Sequence, residues 1–97
     1  MPAEDKPIEY RILYRPSAES DIRKINKKHK EQLPSIVKKI RNLKINPRST
    51  NAEKLSNNDE YRIRDGDYRI TYTIDDSKKI VVIGRVRNRN EVYKKRR

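Results

Sequence analysis

The sequence predicts a small α+β fold: an N-terminal strand, an antiparallel helical hairpin, then a three-stranded antiparallel meander, forming one sheet with the helices packed on one face. Three observations carry this. "IEYRILY" (8–14) and "EYRIRDGDYRITY" (60–72) alternate apolar and polar residues, the period of a half-buried strand. Leu33, Ile36, Val37, Ile40 and Leu43 recur at helical spacing. "KIVVIGRVR" (79–87) is apolar at nearly every place in its first half, which suits a central strand covered on both faces.

The elements follow in order, within a single domain spanning residues 1–97. Residues 1–7 are polar, contain Pro2 and Pro7, and read as a flexible extension. In the first strand Ile8, Tyr10, Ile12 and Tyr14 share a face, and Pro16 ends it. Ser17 can cap a helix whose first turn carries Glu19 and Asp21, favourable at the positive end of the dipole. Ala18, Ile22 and Ile25 give that helix a narrow apolar stripe. The second helix has Pro34 in its first turn, Lys38, Lys39, Arg41 and Lys44 on its outer surface, and Asn46-Pro47 as its stop. Residues 46–59 form a polar connection. Strands are expected over 60–65, 67–75 and 79–87, with Asp75-Asp76-Ser77-Lys78 as the last turn. The chain has no Phe or Trp, so Tyr10, Tyr14, Tyr61 and Tyr72 are expected in the core, with Tyr68 also on the core side by alternation.

Composition narrows the function. Ninety-seven residues suffice for one small core. The 26 Lys and Arg against 14 Asp and Glu leave a net charge of +12, which calls for a polyanionic partner, nucleic acid or an acidic protein. The absence of cysteine excludes a disulfide framework and a thiol nucleophile, and fits a cytoplasmic protein. "IVVIG" is too short to span a bilayer, and the first residues lack the pattern of a signal peptide. His29, the single histidine, sits in the basic stretch "KKHKEQ" and reads as a surface residue, so no histidine pair is available for acid–base work. No acidic cluster has metal-ligand spacing, and neither a metal nor a cofactor is expected.

The arginines are the distinctive feature. Whether the hairpin turns at Asp65-Gly66 or at Gly66-Asp67, Arg62, Arg64 and Arg69 share the face opposite Tyr61, Ile63, Ile70 and Tyr72. The first turn sets Arg62 opposite Arg69, the second Arg64 opposite Arg69. Arg85, Arg87 and Arg89 alternate to one side of the last strand, and Tyr93 follows. Arginines converging on an open sheet face make a phosphate-binding surface, because the guanidinium fork matches phosphate oxygens. The alternative is a solvated surface partly neutralised by Asp65 and Asp67.

"YRIRDGDYRITY" followed by "IVVIGRVRNRNEVYKK" resembles the C-terminal half of the RelE/ParE toxin superfamily, most of all its RelE-like branch, and the resemblance extends over roughly residues 8 to 95. It implies a RelE-like fold and a toxin of a type II toxin–antitoxin pair, with an acidic RelB-like antitoxin as partner. RelE-like members cut messenger RNA in the ribosomal A site without a metal, by attack of the 2′-hydroxyl. Carried over by motif, Arg69 is the charge stabiliser, Arg87 holds the phosphate or aids the leaving group, and Tyr93 is the candidate base or a stacking platform. Arg62, Arg64, Arg85, Arg89, Lys54 and Lys94 are the expected contacts to RNA. A ParE-like inhibitor of DNA gyrase and a non-catalytic RNA-binding module are the alternatives on the same fold. The chain departs from the pattern after Lys54-Leu55, where Ser56-Asn57-Asn58 replaces the basic residue and glycine of many members.

Overall fold

The computed structural model describes residues 9–55 and 59–88. Strand β1 (Arg11–Tyr14) leads into helix α1 (Pro16–Lys28), a 3-10 turn over Lys30–Gln32 and helix α2 (Leu33–Asn42). Strands β2 (Glu53–Lys54), β3 (Glu60–Asp65), β4 (Tyr68–Asp75) and β5 (Ile80–Asn88) complete a five-stranded sheet in the order β1-β5-β4-β3-β2. β1 runs parallel to β5, and every other neighbouring pair is antiparallel.

The order strand, two helices, three strands is the one read from the sequence. β2 is an addition at the sheet edge, too short to show an alternating pattern. α1 starts from Arg15 with Pro16 in its first turn, and Ser17 caps nothing: its hydroxyl donates instead to the Gly84 carbonyl at 2.8 Å. α2 ends at Asn42 rather than at Asn46-Pro47, although Leu43 still packs into the core.

One face of the sheet is sealed by the helices. Ala18 and Ile25 of α1 and Ile36, Ile40 and Leu43 of α2 and its end pack with Tyr61, Ile63, Tyr68, Ile70, Tyr72, Ile74, Val81, Ile83 and Val86 in one buried cluster. Tyr61 and Tyr72 stack with centroids 5.8 Å apart, replacing the missing Phe and Trp. The Tyr72 hydroxyl, pushed up to about 12 chiefly by burial, stays protonated and donates to the Pro47 carbonyl at 2.7 Å. Tyr10 is only partly buried, and Tyr14 and Val37, expected inside, are exposed. β5 has strands on both sides but helices on one face only, so Ile80 and Val82 are half-buried on the open side.

The β3–β4 hairpin turns at Gly66-Asp67, which sets Arg64 opposite Arg69 and Asp65 opposite Tyr68. Gly66 has φ +61°, the glycine-first geometry of a type II′ turn. A Cβ there meets no atom within 4 Å, so the cost of Gly66→Ala is conformational, about 1 kcal/mol. The variant is expected to melt roughly 4–8 °C lower with its fold retained, as followed by circular dichroism.

The far end of the sheet is held by a polar clamp. Arg48 donates to both carboxylate oxygens of Asp76 (3.1 and 2.8 Å) and to the Tyr61 hydroxyl (3.0 Å), and the Tyr10 hydroxyl donates to Asp76 at 2.8 Å. Arg48, followed by the Tyr10 hydroxyl, holds the Asp76 carboxyl below its ordinary value. A depressed carboxyl stabilises the fold above its unfolded pKa, about 4, and loses that contribution as pH falls through the folded value. Asp76→Asn is therefore expected to lower the urea midpoint at pH 7, and the difference to shrink as pH falls below the unfolded value and through the folded one, where the wild-type carboxyl also becomes neutral.

Candidate functional site

The open face is built by strand alternation and one irregularity. On β3 and β4 the core takes Tyr61, Ile63, Tyr68, Ile70, Tyr72 and Ile74, which leaves Arg62, Arg64, Arg69, Thr71 and Thr73 on the other side. On β5 strict alternation from Val81 and Ile83 would carry Arg85 and Arg87 into the core. A β-bulge prevents this: Tyr72 faces Ile83, but Thr71 faces Arg85, so Gly84 is the extra residue. Beyond it Val86 faces Ile70 in the core and Arg87 faces Arg69 on the open side.

The result is a row. Arg64 on β3, Arg69 on β4 and Arg87 on β5 stand directly opposite one another. At an inter-strand spacing of about 4.8 Å their Cα atoms span roughly 10 Å. Directly opposed like charges disfavour the pairing by up to about 1 kcal/mol each. Among the described residues none of the three has an acidic partner within salt-bridge distance. Asp65 accepts a hydrogen bond from Ser35 at 2.8 Å, on the other side of the strand from the row.

The neighbouring basic residues are differently placed. Arg62, opposite Thr71, is neutralised by Glu53 across the β2–β3 pair, with Nε 3.1 Å from the carboxylate. Arg62 in turn holds the Glu53 carboxyl below its ordinary value, with smaller contributions from Arg64 and Arg69. Arg85 is engaged by Asp21 of α1, both carboxylate oxygens accepting from its guanidinium at 2.9 Å. Lys54 stands opposite Tyr61, hence toward the helix side of the edge and away from the row. Arg89, Tyr93 and Lys94 lie outside the described residues. His29 is exposed at the end of α1, remote in sequence and element from the row.

Asp21 was read from the sequence only as an acid at the positive end of a helix. It is a buried carboxylate, and besides Arg85 it accepts the Val86 backbone N–H at 2.9 Å. The signal was available: Ala18, Asp21, Ile22 and Ile25 lie at i, i+3, i+4 and i+7, so the acid falls inside the buried stripe.

The arrangement suits a phosphate. Three guanidinium groups offer forked donors to a planar or tetrahedral anion, and among the described residues no carboxylate lies within salt-bridge distance of them. Among the described residues a small dent of about 30 Å³ is lined by Arg64, Gly66, Asp67, Tyr68 and Arg69. No helix among the described residues is long and apolar enough to cross a membrane.

Comparison with known proteins gives this fold its class, a RelE-like toxin of a type II toxin–antitoxin system. The family model of the ParE toxin of the type II toxin-antitoxin system matches residues 12–93, and the chain belongs to that family. Among solved structures, the chain is similar to the RelBE2 toxin–antitoxin complex from Mycobacterium tuberculosis, at 28% identity over 87% of this chain and 95% of that one, with a TM-score of 0.71. The isolated E. coli RelE toxin is 28% identical over 89% of this chain and 93% of its own, with a TM-score of 0.67. The YoeB/ParE toxin from Agrobacterium tumefaciens shares the fold at 18% identity, covering 80% of this chain and 96% of its own, with a TM-score of 0.71. No curated protein matches the sequence.

Proposed function

We propose that this toxin is a ribosome-dependent endoribonuclease that cuts messenger RNA in the A site and so stops translation. The observation that carries the reading is the row of Arg64, Arg69 and Arg87, unpaired with acid and directly opposed across three strands.

The chemistry is transesterification. The 2′-oxygen gives up its proton to a base and attacks phosphorus, the bond to the 5′-oxygen breaks, that oxygen takes a proton from water, and a 2′,3′-cyclic phosphate and a 5′-hydroxyl result. Charge grows on the non-bridging oxygens, where a fixed guanidinium is worth more than mobile water. Arg69, in the middle of the row, takes that role. Arg87 holds the phosphate or steadies the leaving oxygen electrostatically, since arginine does not give up its proton near neutrality. Arg64 holds the backbone, with Arg62, shared with Glu53, beside it. Tyr93 is the candidate acceptor of the 2′ proton. An open surface orients RNA poorly, so the ribosome supplies the geometry, and free RNA is expected to be a poor substrate.

The partner proposed for storage is an acidic antitoxin that folds over the basic surface, as the M. tuberculosis relative is held in a toxin–antitoxin complex. A second reading, inhibition of DNA gyrase, is favoured by one observation: the matching family model is that of ParE toxins. Wild type and Arg69→Ala in a translation extract, with messenger ends mapped by primer extension, separate the two. New ends at A-site codons, lost in the variant, support the nuclease. Intact messenger with blocked supercoiling in a parallel gyrase assay overturns it.

A further inference from the structure

β1 stops at Tyr14, opposite Ile83, but β5 continues to Asn88. Among the described residues the second half of β5, which carries Arg87, therefore has no strand on that side. Its edge is met by α1 instead. The Arg15 N–H donates to the Ile83 carbonyl at 2.9 Å, the Ser17 hydroxyl to the Gly84 carbonyl at 2.8 Å, and the Val86 N–H to Asp21 Oδ2 at 2.9 Å. Ser17 and Asp21 are four residues apart, on one face of the helix. Two side chains thus take the place of the missing strand across the bulge at Gly84.

Asp21 does more than close the edge. Its carboxylate, 6% exposed, accepts three hydrogen bonds: two from Arg85 and one from the Val86 amide. The Arg85 guanidinium is drawn toward α1 and away from the row. The Val86 amide, one residue before Arg87, is pinned at the point where the bulge has reset the direction of the side chains.

We propose that Asp21 is a positioning residue for the arginine row: it fixes the end of β5 so that Arg87 stands opposite Arg69, and it keeps Arg85 out of the phosphate site. The inference rests on the nuclease reading for its kinetic consequence, but the geometry it asserts is measurable without it. Without the carboxylate, the β5 end shifts and a fourth guanidinium is released beside the row. A misplacement on the order of 1 Å costs about a hundredfold in such reactions.

The test compares wild type, Asp21→Asn and Arg85→Gln, each at a temperature where circular dichroism shows it folded. Arg85→Gln keeps the Asp21 bond to Val86 and so separates it from the bonds to Arg85, and Asp21→Glu, which displaces the carboxylate and is expected to weaken the Arg87 response likewise, serves if Asp21→Asn does not fold. Arginine side-chain N–H signals are followed by NMR during titration with a short all-2′-deoxy oligonucleotide, which cannot be cut. In wild type, Arg64, Arg69 and Arg87 are expected to respond together and Arg85 to remain still. In Asp21→Asn the Arg87 response is expected to weaken and Arg85 to join the responding set, whereas in Arg85→Gln, which retains the bond to Val86, the Arg87 response is expected to stay as in wild type. On programmed ribosomes kcat is expected to fall about ten- to a hundredfold in Asp21→Asn with KM within about twofold. Unchanged Arg87 and Arg85 responses in Asp21→Asn, a weakened Arg87 response in Arg85→Gln, or a kcat loss that merely tracks the unfolded fraction, overturn the proposal. If wild type cuts nothing on ribosomes but the NMR pattern changes as stated, the positioning role stands and the nuclease reading falls.

Discussion

Arg69→Ala is expected to abolish nearly all cleavage, lowering kcat on programmed ribosomes by about a hundred- to a thousandfold while the protein stays folded. The size follows from its position. Arg69 is flanked on both sides by cations, Arg64 and Arg87, and is the member of the row that has a neighbour across each strand boundary. A phosphate centred on it is within reach of all three guanidinium groups; one centred on either end is not. Removal also relieves two like-charge contacts, each unfavourable by up to about 1 kcal/mol. The alanine variant is therefore expected to melt no lower than wild type, and even slightly higher, in low salt. Loss of activity with unimpaired stability is the signature to seek, read by primer extension beside a thermal melt. A variant that lost both together would instead place Arg69 in the framework.

Asp21→Ala has the largest expected effect on stability. It leaves the Val86 N–H without its acceptor and Arg85 without its counter-ion. Breaking a buried pair costs about 3–5 kcal/mol, but the Arg85 side chain is 42% exposed and recovers water, which brings the expectation to about 2–3 kcal/mol. For a chain of this size that is a fall in melting temperature of roughly 10–20 °C. Glu19→Ala is the control. Glu19 lies in the first turn of the same helix but is exposed, and its loss is expected to stay within about 0.5 kcal/mol. Equal effects at the two positions would mean that Asp21 acts only through the helix dipole, and the edge-closing role would fail.

These two residues mark what can be read from the sequence. Arg69 was legible because alternation is local: both turn registers put it on one face with Arg62 and Arg64, and only Gly66 had to choose the partner. The element order and the tyrosine-rich core were legible for the same reason. Asp21 was not, because its meaning comes from a strand more than sixty residues away. Arg85 showed the same limit. By type and spacing it belongs with Arg87, yet a carboxylate from another layer claims it. The bulge at Gly84 had only a weak local marker, an isolated glycine inside a strand pattern. Its φ is not positive and a Cβ there would meet only Thr71 atoms at 3.6 Å, an ordinary contact. The apolar run before it read as a strand covered twice, whereas the open side of Ile80 and Val82 has no second layer. Lys54 is expected from the resemblance to contact RNA, but its two-residue strand has no alternation from which to fix a direction.

The parallel pairing of β1 with β5 has a consequence during synthesis. The first strand waits for the last: Arg11 meets Ile80, and everything between must leave the ribosome before the two can join. The helices and the β3–β4 hairpin can form earlier from near neighbours, but Arg87 arrives only with β5. A nascent chain thus carries two thirds of its arginine row and none of the edge that Asp21 completes. The arginine row is whole only once β5 has left the ribosome and paired with β4.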